Sequence, residues 1–490
     1  MKNKVLFFFF LLKMTTYGQF GVLDNSFGVG GVVTTDFGKD EYGSSVAIQD
    51  DGKIIVCGQI YDYPFSPIAM ARYNTDGTLD NSFGIGGKVT TSGFSGNKEA
   101  YGFSIALQSD GKIVVLGERA IVRYQVDGKL DTTFGDKGKI NHGSGNCIKI
   151  QPDGKLIVGG QAGYPPNDDF GLWRYNTNGS IDSTFSSDGW ARVDFTSSDT
   201  PISLSLQHDG KIIIAGYCYT PTIDFALARL NNDGTLDQSF GDSGKVITEV
   251  GNYGDRGYAV ALQSDGKIVL AGTSLSPGTS YDFALVRYHS DGSLDSTFDF
   301  DGKAITAIGT SDDFANAVTI QNDNKIVLTG TSVGKFALAR YQTNGALDST
   351  FGSNGTLTTN VGTIEDGAAA VAIQRDGKIV VAGFSYNTDR NSDFAVLRFT
   401  SGMVGVQHNT VLSELNIYPN PSSGIFNLVL TGQPTDMKVC VYDVLGNCVW
   451  QENYQNESAF KIDLSKEAKG IYFAETIIDN KRSMNKIVFH

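Results

Sequence analysis

The chain alternates short apolar runs with tight turns, and one phrase recurs at the turns. It reads Gln263-Ser-Asp-Gly-Lys267, with copies at Gln49–Lys53, Gln108–Lys112, Gln151–Lys155, Gln207–Lys211, Gln321–Lys325 and Gln374–Lys378. Six copies carry Asp-Gly at the turn and one carries Asp323-Asn324. Gly and Asn tolerate positive φ, so the phrase predicts a hairpin. Before each turn, large apolar residues alternate with Ala, Ser, Thr or Lys, as in Ala370-Val-Ala-Ile373. This is strand A, Val260–Gln263 in the fifth copy, with one narrow face. After each turn the chain is wholly apolar, as in Ile212-Ile-Ile-Ala-Gly216. That pattern predicts a strand B buried on both faces.

A third run, Phe283-Ala-Leu-Val-Arg-Tyr288 and its equivalents, alternates as a strand C. A connection such as Asn74-Thr-Asp-Gly-Thr-Leu-Asp-Asn-Ser-Phe-Gly84 leads to a short polar strand D, such as Lys88-Val-Thr-Thr91. Small inside, buried next, half-buried third and polar last is the radial order of a propeller blade. A β-solenoid is the competing reading, but these repeats recur every 43 to 59 residues and would need terminal caps. The first phrase is a strand D (Gly31–Thr35) with no A to C before it, and the last repeat stops at strand C (Phe394–Phe399). The expected fold is therefore all-β: a seven-bladed propeller closed by an N-terminal strand.

In such a meander the A–B and C–D turns share one face. That face carries the uniform phrases. The B–C and D–A loops differ in every repeat and form the other face, which is the expected binding surface. Its candidate ligand-binding residues are Tyr61, Tyr63, Tyr164, Tyr217, Tyr219, Tyr281 and Tyr386, because an exposed Tyr offers a stacking ring and a polar tip. On the uniform face, each strand C carries one arginine (Arg72, Arg123, Arg174, Arg229, Arg287, Arg340, Arg398). Each connection carries one aspartate (Asp24, Asp80, Asp131, Asp182, Asp237, Asp295, Asp348). A repeated structural Arg–Asp contact is expected, with the aspartate capping its own turn. The third and fourth phrases are imperfect, since Ala120 opens a short strand C and Ser186 replaces Gly, so irregular blades are expected there.

Composition narrows the functions. A net charge of −14 argues against nucleic acid. The five histidines are scattered without metal spacing, and neither a nucleophile elbow nor a phosphate-binding loop is present. No catalytic residue, metal or cofactor is expected. Loop carboxylates, among them Asp40, Glu41, Asp168, Asp169, Asp312, Asp313, Glu365 and Asp366, keep a paired-carboxylate hydrolase open. The five cysteines show no framework spacing. If the hairpin loop is Val444–Asn447, Cys440 faces Gln451 rather than Cys448.

Lys2 and Lys4, the apolar run Val5–Leu12 and small residues around Gly18 predict a signal peptide over residues 1–18, too short to span a bilayer. The propeller then covers 19–399, a linker 400–413 and a small Ig-like β-sandwich 414–490.

The last segment is similar to the C-terminal sorting domain of the type IX secretion system of Bacteroidetes. It carries Tyr418-Pro419-Asn420-Pro421 with Gly424, Val441-Tyr-Asp443-Val-Leu-Gly446, Lys469-Gly470-Ile-Tyr472 and a terminal Lys486-Ile-Val. The resemblance implies export to the outside or the outer surface of the cell, with the type IX machinery as partner and the tail removed. The repeats, from Leu23 to Phe399, resemble the delta-60 repeat family, which implies a propeller and no particular activity. The combined expectation is a monomeric extracellular binding module for glycan or protein. The alternative is a polysaccharide hydrolase or lyase of propeller type.

Overall fold

The computed structural model describes residues 20–490 apart from 63–65, 93–101, 164–166, 196, 277–279, 402–414, 419, 431–436, 444–447, 455–458 and 479–480. The expected signal peptide lies outside the described residues. The chain divides into two compact units between Gly402 and Met403.

The first unit holds seven four-stranded antiparallel sheets. In blade one, strands A to D are Asp40–Ile48, Ile54–Tyr61, Ile68–Tyr73 and Lys88–Thr91. In blade seven, Asp366–Ile373, Ile379–Tyr386 and Ser392–Phe399 are completed by Val32–Thr35, with Val32 opposite Leu397 and Thr35 opposite Phe394. Each strand A abuts strand A of the next blade, and that of blade seven abuts that of blade one, so the ring closes on the N-terminal strand. The recurrent turn behaves as its residues dictate. Gln263 N donates to Lys267 O at 2.9 Å, Gly266 sits at φ +84°, and Asn324 takes the same role at φ +62°.

The radial gradient has a packing basis. Ile212, Ile213, Ile214 and Ala215 of one strand B are fully buried, because the faces of neighbouring blades meet on both sides of it. Burying each of these isoleucines contributes about 1.5–3 kcal/mol. Strand A is longer than Val260–Gln263. It runs from Asp255 to Leu262 through a register shift between Gly257 and Ala259. The same shift recurs in the strand A of every blade. The extra residue of a bulge breaks the alternation that would have revealed the strand's outer half.

The arginines on strand C form the expected contact and more. Nε of Arg72, Arg123, Arg174, Arg229, Arg340 and Arg398 lies 2.7–3.0 Å from Oδ2 of Asp80, Asp131, Asp182, Asp237, Asp348 and Asp24, and Arg287 reaches Asp295 at 2.8 Å. The lysine of each hairpin phrase approaches the same carboxylate, as Lys211 does Asp237 at 2.8 Å. The other oxygen caps the turn, as Asp237 Oδ1 does by accepting Ser239 N and Oγ. Each guanidinium also covers a phenylalanine ring of its own blade, 4.6 Å away for Arg229 and Phe240. Nη1 donates to a carbonyl of the following blade: Arg72 to Val126, Arg229 to Ser290, and Arg398 to Thr75 across the closure. For Asp24, burial raises the carboxyl pKa. The hydrogen bonds from Ser26 and Lys378 and the Arg398 charge outweigh it, leaving the group at about 2.

A second seam contact went unread in the sequence. Tyrosines ending strand C donate to, or accept from, the strand-D threonine of the preceding blade: Tyr73 with Thr35, Tyr124 with Thr91, Tyr288 with Thr248 and Tyr341 with Thr306, all at 2.7–2.8 Å. Between blades two and three His142 takes the threonine's place, its Nδ1 2.7 Å from Tyr175 Oη. Between blades three and four both partners are apolar, Val193 and Leu230.

The imperfect phrases keep all four strands. Blade two is short, with strand C Ala120–Tyr124 and strand D Lys139–Asn141. Ser186 adopts φ +48°, near the +51° of its equivalent Gly241, and still donates to Asp233 O.

The second unit has a sheet of Leu415–Tyr418, Ile425–Leu430 and Ala459–Asp463, and another of Cys448–Tyr454, Met437–Tyr442, Gly470–Ile478 and Lys481–Phe489. Phe426, Leu428 and Ile462 of the first pack with Val439, Val441, Ala474 and Ile487 of the second. Cys440 stands opposite Gln451 and Cys448 opposite Tyr442. Among the described residues all five thiols are free. The motif residues clamp the last strand: Asn420 Oδ1 and Ser422 N bond Val488 N and O at 2.9 and 2.8 Å. Gly424 sits at φ +118° against the Ser465 backbone, and Tyr472 is buried with its hydroxyl on Ala468 O. Tyr418 is exposed, Pro421 follows Asn420, Asp443 closes the Met437–Tyr442 strand, Gly470 opens its own, and Lys486 pairs with Phe473 through the backbone. Pro419 and Gly446 lie outside the described residues.

Candidate functional site on the divergent face

The described candidate tyrosines stand at one end of the propeller, beside the B–C and D–A loops, in separate groups. Strand A's outer half, beyond the bulge, is what carries side chains to this end.

The larger group spans blades four to six. Tyr217, on strand B of blade four, packs edge-on against Tyr258, the bulge residue of blade five, with centroids 6.4 Å apart. Arg256, two residues before Tyr258, lies 5.9 Å from the Tyr281 ring, and its charge acts on the Tyr258 hydroxyl. Tyr281 continues the patch to Phe314 on strand A of blade six, at 5.5 Å. All five side chains are half-buried. Burial raises the Tyr258 pKa against the Arg256 charge, so its hydroxyl stays a neutral hydrogen-bonding group. Phe314 also borders a cavity of about 460 Å³ lined by Asp312, Asn316, Thr331 and Glu365.

The smaller group joins blade seven to blade one. Tyr386 and Tyr42 share a hydrogen bond of 2.6 Å, and both rings pack on Phe384. Tyr61 and Tyr219 are exposed, at 53% and 43%. Tyr63 and Tyr164 lie outside the described residues. Tyr217 and Tyr281 were named from their place in the divergent loops, but nothing local marked Arg256 and Phe314. Their place in the patch depends on the bulged strand A.

Acidic residues open strand A in several blades, at Glu41, Asp199, Asp255, Asp313 and Asp366, all at most 2% exposed. Their carboxylates cap the preceding D–A loop: Asp255 Oδ2 accepts Val250 N at 2.7 Å and Asp366 Oδ2 accepts Val361 N at 2.7 Å. Burial pushes Glu41 up to about 7 and Asp199 up to about 6. Two larger cavities, of about 1010 and 1050 Å³, open at the opposite end between the uniform hairpins. Gln108, Asp110 and Arg123 line one, and Lys149, Gln263 and Gln321 the other.

Comparison with known proteins agrees with this architecture. The model for a domain of unknown function (DUF5122), described as a beta-propeller, matches seven times, at residues 49–83, 108–134, 151–185, 207–240, 263–298, 321–351 and 374–402. The model for the secretion system C-terminal sorting domain matches residues 416–490. No curated protein matches the chain.

Among solved structures, PorZ, a surface component of the type-IX secretion system of Porphyromonas gingivalis, is 12% identical with a TM-score of 0.38. That match covers 91% of this chain and 59% of PorZ, so the chain spans less than two thirds of PorZ's length. Drosophila Semaphorin 2a is 9% identical over 94% of this chain and 97% of its own, with a TM-score of 0.46. The polysaccharide lyase Uly1 is 11% identical over 73% and 90%, with a TM-score of 0.42. Scores at this level carry no functional weight. The chain is a propeller of DUF5122 repeats exported through a type IX sorting domain, and its place is outside the cell or on its surface.

Proposed function

We propose that this exported propeller is an extracellular binding module that takes a glycan or protein ligand on its divergent face. The observation that carries the reading is the Tyr217–Tyr258–Tyr281–Phe314 patch with Arg256 held inside it. Half-buried tyrosine rings stack on apolar sugar faces or side chains while their hydroxyls bond polar groups. The guanidinium adds a fixed charge and five donors. The other named tyrosines, Tyr61, Tyr63, Tyr164, Tyr219 and Tyr386, would extend this surface to further blades. The alternative, a polysaccharide hydrolase or lyase, would draw on Asp312 and Glu365 beside Phe314.

The test is a glycan array on the full chain, run beside a screen for polysaccharide degradation, with a Tyr258→Ala/Tyr281→Ala variant. The expected result is a retained ligand whose affinity falls at least tenfold in the variant. Turnover of any polymer would replace the binding reading with the enzymatic one.

A further inference from the structure

The seam between blade seven and blade one gathers three carboxylates. Asp393 belongs to strand C of blade seven, Asp36 follows the N-terminal strand, and Glu41 is in strand A of blade one. One carboxylate oxygen from each lies within 4.8 Å of the others. Glu41 is fully buried and Asp393 is 9% exposed. Glu41 Oε1 accepts Lys39 N at 2.8 Å, Asp393 Oδ2 accepts Asn387 Nδ2 at 3.3 Å, and Asp36 Oδ1 accepts Gly38 N at 2.5 Å. Glu41 Oε2 and Asp393 Oδ1 accept nothing from the protein. Lys88 comes close, but its ammonium donates to the Asp36 carbonyl.

Buried carboxylate oxygens without a donor are costly unless a proton or another positive charge meets them. The geometry points to a divalent cation of the calcium class held at this seam by Glu41, Asp393 and Asp36. The donors are all oxygen, and neither His nor Cys belongs to the group, which suits a hard cation over zinc or copper. Asp36 is exposed, so water reaches the remaining coordination positions. The ion would bind the last strand C, the loop after the N-terminal strand and the first strand A, which are the elements that close the ring. A second group, Asp169, Asp194 and Asp199, occupies the equivalent place between blades three and four. There the Arg192 guanidinium already pairs with Asp169, so the protein supplies the cation itself.

The experiment is calorimetric titration of the chelator-treated full chain with calcium chloride and with magnesium chloride, together with thermal midpoints in calcium and in chelator. Calcium should bind more tightly than magnesium and raise the midpoint. Glu41→Gln and Asp393→Asn should each weaken calcium binding at least tenfold, while Asp194→Asn leaves it unchanged. If Glu41→Gln does not fold, Asp393→Asn carries the test. Absence of calcium binding in the native chain, tighter binding of magnesium, or unchanged binding in the seam variants would overturn the assignment.

Discussion

Arg398 and Asp24 are 374 residues apart in the chain, and their side chains meet at 2.8 Å. The other six blades make this contact within one connection, eight residues from arginine to aspartate, as in Arg229 and Asp237. In blade seven the arginine belongs to the last strand and the aspartate to the N-terminal segment, so the same pair becomes the latch of the ring. Arg398→Met leaves Asp24 with Lys378 and the Ser26 hydrogen bonds but without the guanidinium that ties it to the last strand. The expected cost is about 1–3 kcal/mol, read as a lower denaturation midpoint with faster proteolysis near residue 20. Equal loss of stability with no change in proteolysis there would count against the latch.

The same carboxylates set an acid limit. Asp24 titrates near 2 when folded against 3.8 ordinarily. A depressed folded value gives stability that is full above the ordinary pKa and lost as pH falls through the folded one. Stability should therefore drop between about pH 4 and pH 2, and Asp24→Asn should flatten part of that drop. Urea midpoints measured across this range check it.

His142 predicts a separate loss at milder acidity. Burial lowers its pKa from 6.5 to about 4, so the folded protein holds it neutral while the unfolded chain protonates it. Stability should fall as pH decreases from about 6.5 to 4, by up to roughly 3 kcal/mol. His142→Thr installs the residue that makes this bond at four other seams and should abolish this component. Chemical denaturation at pH 4.5, 5.5 and 7.5 separates the two proteins.

The Tyr288–Thr248 bond tests the seam contact in isolation. Tyr288→Phe leaves the Thr248 hydroxyl buried and unpaired, at an expected cost of about 1–3 kcal/mol. Adding Thr248→Val should recover most of it, because Val193 and Leu230 already show that two apolar residues fill this place. A double-mutant cycle on thermal midpoints measures the coupling.

Ser186 holds a positive φ that its repeat otherwise assigns mainly to glycine. Ser186→Gly should stabilise the protein by about 1 kcal/mol. An unchanged or lower midpoint would show that the serine is not strained.

The blade count, the hairpins, the uniform and divergent faces and the Arg–Asp pairing were all legible in the sequence. Each rests on interactions between residues close in the chain: an Asp-Gly turn fixes its own geometry, and Arg229 meets Asp237 across one connection. The sorting segment was legible for a related reason, since Asn420 and the final strand recur as a fixed motif that the fold brings together. What the sequence left open lies at the seams. The outer half of strand A was hidden because a bulge resets its alternation. The Thr248–Tyr288 bond, the Arg256 patch and the Asp36–Glu41–Asp393 group all join neighbouring blades. Their partners are set by how one twisted sheet packs on the next, a relation that no local periodicity records. The sequence by itself determined seven similar blades and their closure. Tertiary packing alone decided which side chains meet between them, because those contacts come from the stacking of sheets and not from any turn.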